Sequence, residues 1–187
     1  VNPDERVVFY GTTMGVTGDR GATWRVDSVP FNVKSMTVDW LARRVYASGL
    51  SSFAARALDV VGPWITQSDR WPFAAQNGIV VARVPQGIVR SPDGGATFVP
   101  VGAALGTINA CAIEFAPSSS DVAYVVDCGS PVRVLRSTDA GQTWNAVADL
   151  PALAGGYSGV PTVLAVDAID ADRVWIGDQY GLRQSID

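Results

Sequence analysis

Ser137-Thr138-Asp139-Ala140-Gly141-Gln142-Thr143-Trp144 decides the fold, because the chain writes it three times. It returns as Ser91-Pro92-Asp93-Gly94-Gly95-Ala96-Thr97-Phe98 and as Thr17-Gly18-Asp19-Arg20-Gly21-Ala22-Thr23-Trp24. In each copy a hydroxyl precedes the Asp by two positions and an aromatic follows it by five, a pattern too long to recur by composition. Aligning on the Asp exposes weaker copies. Ala57-Leu58-Asp59 is followed by Trp64 at the same offset, and Ser185-Ile186-Asp187 stands at the end of the chain. Asp19, Asp59, Asp93, Asp139 and Asp187 are 34 to 48 residues apart. That period suits four-stranded propeller blades better than helical solenoids.

The residues between the motifs agree. Each interval carries two short runs rich in Val, Ile, Tyr and Trp, which suit a pleated, half-buried surface. Met36-Thr37-Val38 is followed by Arg44-Val45-Tyr46-Ala47, and Cys111-Ala112-Ile113-Glu114-Phe115 by Val122-Ala123-Tyr124-Val125-Val126. Val163-Leu164-Ala165-Val166 is followed in the same way by Arg173-Val174-Trp175-Ile176. Polar turns such as Pro117-Ser118-Ser119-Ser120-Asp121 separate the pairs. A third run leads into the Asp motif, as Val132 to Arg136, and a fourth leaves its aromatic, as Asn145-Ala146-Val147. Four antiparallel strands per unit, in meander order, make an all-β propeller. Three complete blades are expected at 33–71, 72–105 and 106–156, with incomplete ones at 1–32 and 157–187. Val1 to Tyr10 matches the turn and second strand written at Val166 to Trp175, so a partial propeller is expected, completed by further residues or by another chain.

The motif has a physical task. A tight hairpin between the third and fourth strands leaves backbone N–H groups unpaired, and a Ser or Thr hydroxyl with an Asp carboxylate accepts them locally. Gly95 and Gly141 supply positive φ. The aromatic then packs across the hairpin onto the neighbouring blade.

This S-x-D-x-G-x-T-W pattern resembles the Asp-box, or BNR repeat, of bacterial sialidases, xyloglucan-cleaving glycosidases, sortilin-type receptors and photosystem II assembly propellers. The resemblance covers nearly the whole chain. It implies structural roles for Thr17, Asp19 and Trp24, for Asp59 and Trp64, for Ser91, Asp93 and Phe98, for Ser137, Asp139 and Trp144, and for Ser185 and Asp187. Its members include enzymes, receptors and assembly factors, so it implies a fold more than an activity. Sialidases of this kind carry an Arg triad, a Tyr nucleophile assisted by Glu, an Asp acid/base and an x-R-I-P motif. Ala82-Arg83-Val84-Pro85 matches that motif in part, with Val in place of Ile, and is read as the end of a second strand.

Composition narrows the chemistry. The 187 residues are 48% hydrophobic and 17% charged, and no apolar run is long enough to span a membrane, so no membrane insertion is expected. The net charge of −4 argues against a nucleic-acid footprint. With no His, triads built on His and the common zinc sites are excluded within this chain. An enzyme here would depend on carboxylates, Tyr or Arg, the chemistry of glycosidases. Cys111 and Cys128 fall on the first and second strands of one blade, where they form either a cross-strand disulfide or two buried thiols. Arg56, Arg90 and Arg136 each stand three before an Asp. They form either a ring for an anionic ligand or, more simply, blade-edge residues with solvated or paired heads. The acidic stretch Asp167 to Asp172 lacks the spacing of a calcium loop and is read as turn chemistry, so neither cofactor nor metal is expected.

Propeller ligands bind on loops between blades and between second and third strands. The longest such connection is Asp149 to Pro161, which contains Tyr157, and Gln179-Tyr180 lies in a second-to-third-strand loop. Tyr157, Gln179 and Tyr180 are therefore the expected contacts. The reading is a non-catalytic, secreted or periplasmic propeller that binds a protein or glycan. The alternative is a fragment of a sialidase-like or xyloglucanase-like glycoside hydrolase.

Overall fold

The computed structural model describes residues 3–71, 73–150, 163–178 and 181–185. They form five antiparallel sheets, each in chain order. The first holds β1 (Arg6–Tyr10), β2 (Thr13–Thr17) and β3 (Arg25–Ser28). The second holds β4 (Ser35–Asp39), β5 (Arg44–Ser48), β6 (Ser52–Ala57) and β7 (Ile65–Ser68). The third holds β8 (Phe73–Gln76), β9 (Ile79–Val84), β10 (Gly87–Ser91) and β11 (Val99–Val101). A single 3-10 turn, Ala103–Leu105, leads to the fourth, with β12 (Ala110–Ala116), β13 (Ser119–Asp127), β14 (Val132–Ser137) and β15 (Asn145–Leu150). The fifth holds β16 (Val163–Val166), β17 (Val174–Asp178) and β18 (Gly181–Ser185). No helix among the described residues is long and apolar enough to cross a membrane.

The innermost strands β4, β8, β12 and β16 touch in succession, so among the described residues the second, third and fourth sheets each lie between two neighbours. This explains why the second and third strands read as unbroken apolar runs. Side chains alternate between the two faces of a strand, and here both faces are covered. In β13, Ala123 and Val125 join Ala74 and Val81 of the third sheet, whereas Tyr124 and Val126 join Val166 and Ile176 of the fifth. The outer strand β7, by contrast, alternates between half-buried and exposed.

Two expected boundaries move. β13 begins at Ser119, which pairs with Ala116, so the turn is Pro117-Ser118 alone and the polar residues after it are strand. Asp149 and Leu150 belong to β15, paired with Arg133 and Val132, because the ladder with β14 continues past the polar end of the run. The remainder of the expected long connection lies outside the described residues.

Candidate functional site

The Asp-centred turns close the hairpins between third and fourth strands, and three of them are wired alike. The Ser137 hydroxyl donates to Asp139 Oδ1 at 2.8 Å and accepts from the Gly141 N–H at 2.9 Å. Asp139 accepts from the Thr143 N–H at 2.8 Å and from its hydroxyl at 2.6 Å. Ser91, Asp93, Gly95 and Thr97 repeat these bonds, as do Thr17, Asp19, Gly21 and Thr23. The two residues after each Asp are left-handed: Arg20-Gly21, Gly94-Gly95 and Ala140-Gly141. The local donors hold these carboxylates ionised. The Thr97 hydroxyl and N–H bring Asp93 down to about 2, and the Thr23 N–H with the Thr17 hydroxyl does the same for Asp19. At Asp139 burial works in the opposite direction, but the Thr143 bonds outweigh it and its carboxyl is also lowered.

The aromatics that close these turns behave differently by sheet. Trp144 is buried against Val81 and Ala74 of the third sheet, with its indole N–H on the Gly141 carbonyl at 3.0 Å. Phe98 packs edge-on against Phe53 of the second sheet, centroids 5.7 Å apart. Trp24 departs from the expected packing. It lies on its own sheet beside Gly15 and is 42% exposed, with no preceding sheet among the described residues.

Asp59 is a further correction. Ala57 offers no hydroxyl to its turn, and the Asp59 carboxylate instead takes Arg43, which also grips Glu5, just before β1, at 2.6 and 2.9 Å. Trp64 reaches the first sheet through its indole N–H, 2.8 Å from the Ser28 carbonyl. Ser185 ends β18, and Asp187 lies outside the described residues. The three aligned arginines do not converge. Arg56 pairs with Asp27 of the first sheet, Arg90 donates to the Ala140 carbonyl of the fourth at 2.7 Å, and Arg136 pairs with Asp172 of the fifth. Each ties adjacent sheets together. Arg83 sits near the end of β9, and Asp167 caps its own turn by accepting from the Ile169 and Asp170 N–H groups. Among the described residues no three metal-ligating side chains gather.

The opposite end carries the second-to-third-strand loops and the connections between sheets. Those connections are clamped, not loose. Val33 N–H bonds the Gly11 carbonyl at 2.9 Å, Lys34 N–H the Ser48 carbonyl at 2.8 Å, and Cys128 N–H the Asn109 carbonyl at 2.9 Å. Buried Asp127 accepts from the Asn109 and Gly129 N–H groups and pairs with Arg133. Cys111 and Cys128 are disulfide-bonded here, Cα atoms 5.9 Å apart, with Cys128 one residue past β13.

On this frame opens a pocket of about 520 Å³, lined by Arg70, Val84, Pro85, Gln86, Ile88 and Phe98 among others. The Arg70 guanidinium lies 4.9 Å from the Phe98 ring centroid and donates to the Ser68 carbonyl at 2.7 Å, so it is held flat along one wall. Trp71, next in the chain, is 50% exposed, and Leu50 at the tip of the β5–β6 loop is 88% exposed. A pocket of mixed lining with one oriented cation, flanked by exposed apolar side chains, has the features of a ligand-binding cleft. The sequence alone did not single out Arg70 and Trp71. Their signal was the juxtaposed cation and aromatic within a connection between blades. Tyr157, Gln179 and Tyr180, expected at this end, lie outside the described residues.

No family model matches the chain, and no curated protein matches it in sequence. Solved structures do resemble it. Ycf48 bound to D1 peptide superposes with a TM-score of 0.69 at 12% identity, covering 99% of this chain and 61% of that one. Ycf48 from Cyanidioschyzon merolae gives 0.64 at 12%, covering 98% and 66%. A chain of the mitotic checkpoint complex gives 0.67 at 10%, covering 93% and 56%. This chain thus spans less than two thirds of the length of each of these structures. At such identities the likeness concerns architecture, and with the five meander sheets it establishes an all-β, β-propeller fold.

Proposed function

We propose that this chain is a BNR/Asp-box propeller module that binds a protein partner at the end bearing the Arg70 pocket, without catalysing a reaction. The pocket carries the proposal: its walls are preformed, and Arg70 is aligned to meet a carboxylate or a backbone carbonyl. That a propeller of this architecture binds a D1 peptide supports a polypeptide as the ligand class. The Cys111–Cys128 bond supports a secreted or periplasmic setting, because such bonds persist in oxidising compartments.

A photo-crosslinking side chain placed at Gln86, beside the pocket, should capture a polypeptide, and the same group at Val147 on outer strand β15 should not. Equal capture at both positions would discard the site. Binding to a glycan array that is lost in Trp71→Ala, without polypeptide capture, would replace protein by carbohydrate. Hydrolysis of a glycan by the chain would replace the binding role by the glycosidase one.

A further inference from the structure

Glu114 is the one charged residue in the apolar run 111–116 of innermost strand β12. Among the described residues its carboxyl has no hydrogen-bond donor and no cationic partner, whereas Asp27, Asp59, Asp127 and Asp172 each hold an arginine. Glu114 borders a cavity of about 270 Å³ between β4, β8 and β12, at the end of the molecule that carries the Asp-centred turns and opposite the Arg70 pocket. Trp40, Leu41, Phe115 and Pro117 supply apolar walls, Gln76 and buried Asp39 also line it, and no lining residue is basic. The Asp39 carboxylate is already occupied by the Ala42 and Gly78 N–H groups at 2.9 and 2.7 Å. The cavity therefore holds one unspent acceptor of negative charge.

We infer that this cavity is a second recognition site, which receives the arginine or lysine side chain of a protein partner and pairs its cationic head with Glu114. The complementarity is specific to that class. A long aliphatic stem fits walls of Trp, Leu, Phe and Pro, as the stems of basic residues do elsewhere, while the head meets a carboxylate that water solvates poorly. Burial pushes the Glu114 carboxyl up to about 7 in the empty cavity, so an arriving cation recovers an interaction the folded chain lacks. Anionic ligands are rejected by Glu114 and Asp39 together, and a neutral apolar ligand would leave Glu114 further desolvated. This site is independent of the Arg70 pocket, and each can fail without the other.

The test uses the whole chain and an N-acetylated, C-amidated Gly-Arg-Gly peptide as probe, followed by the Trp40 indole resonance, assigned with Trp40→Phe. The peptide should shift that resonance saturably at millimolar concentration. The citrulline analogue, of equal shape but uncharged, should bind at least about ten-fold more weakly, and so should the arginine peptide to Glu114→Gln. No shift with the arginine peptide, or equal binding of citrulline, would overturn the inference. Unchanged binding to a folded Glu114→Gln would overturn it as well. If that variant did not fold, the citrulline comparison on the unaltered chain would decide.

Discussion

The Ser137 hydroxyl is fully buried and occupied as donor and acceptor at once. Ser137→Ala strands the Gly141 N–H and removes one of three donors to Asp139 Oδ1, so it should cost about 1–3 kcal/mol in urea unfolding, and Ser91→Ala the same. A loss under about 0.5 kcal/mol would show that water replaces the hydroxyl. Two titrations act in opposite senses. Asp93 lies near 2 in the folded chain against an ordinary 3.8, so its contribution is complete above pH 3.8 and fades as pH falls from there toward 2. Asp93→Asn should destabilise at neutral pH and have a much smaller effect at pH 2, read by urea midpoints. Glu114 is raised from 4.5 to about 7, so its favourable protonated form is complete below 4.5 and is lost as pH rises through 7. Glu114→Gln should therefore gain stability relative to the parent as pH climbs from 4.5 to 8, with the gap closing in acid.

At the scale of the element, a turn is also the contact surface for the next sheet. Gly141 has φ of +81°, and a Cβ there would stand 2.7 Å from Val81 Cγ2. Gly78 has a similar φ of +79° and a Cβ there would meet only Ala42 Cβ at 3.9 Å, an ordinary contact. Gly78→Ala should cost about 1–2 kcal/mol for the positive-φ backbone alone. Gly141→Ala should cost roughly 1–3 kcal/mol more, because the third and fourth sheets must separate to admit the methyl. Equal losses in denaturant titrations would mean that the sheets are not pressed together at this turn. The hairpins were legible because each closes on itself. Asp19, Asp93 and Asp139 find their donors four residues away, at positions the motif itself specifies. Asp59 misled for the same reason: the letter Asp was present, but without Ser or Thr at residue 57 the carboxylate was free to take Arg43.

At the scale of the whole molecule, the sheets are joined by side chains that cross between them, and the fourth sheet is stapled within itself by one covalent bond. The Cys111–Cys128 disulfide spans a separation of 17 residues, so its reduction should lower unfolding stability by about 3 kcal/mol, measured with and without reductant. Protection of the Asn109 and Cys128 amides from hydrogen exchange should fall first, since that bond lies where the connection is clamped. By itself the sequence determined the all-β class, the blade repeat and the form of the Asp-centred turns. The determining interactions lie within a few residues, and strand pairing in a meander follows chain order. Only the tertiary structure decided what the unpaired letters do. Arg56 reaches Asp27 across 29 positions and Arg90 reaches Ala140 across 50, turning apparent ring residues into ties between sheets. Glu114 is left alone beside a cavity that three strands from three sheets enclose. Those outcomes depend on how blades stack, and the packing of one blade's face against the next is not written at any fixed spacing within either.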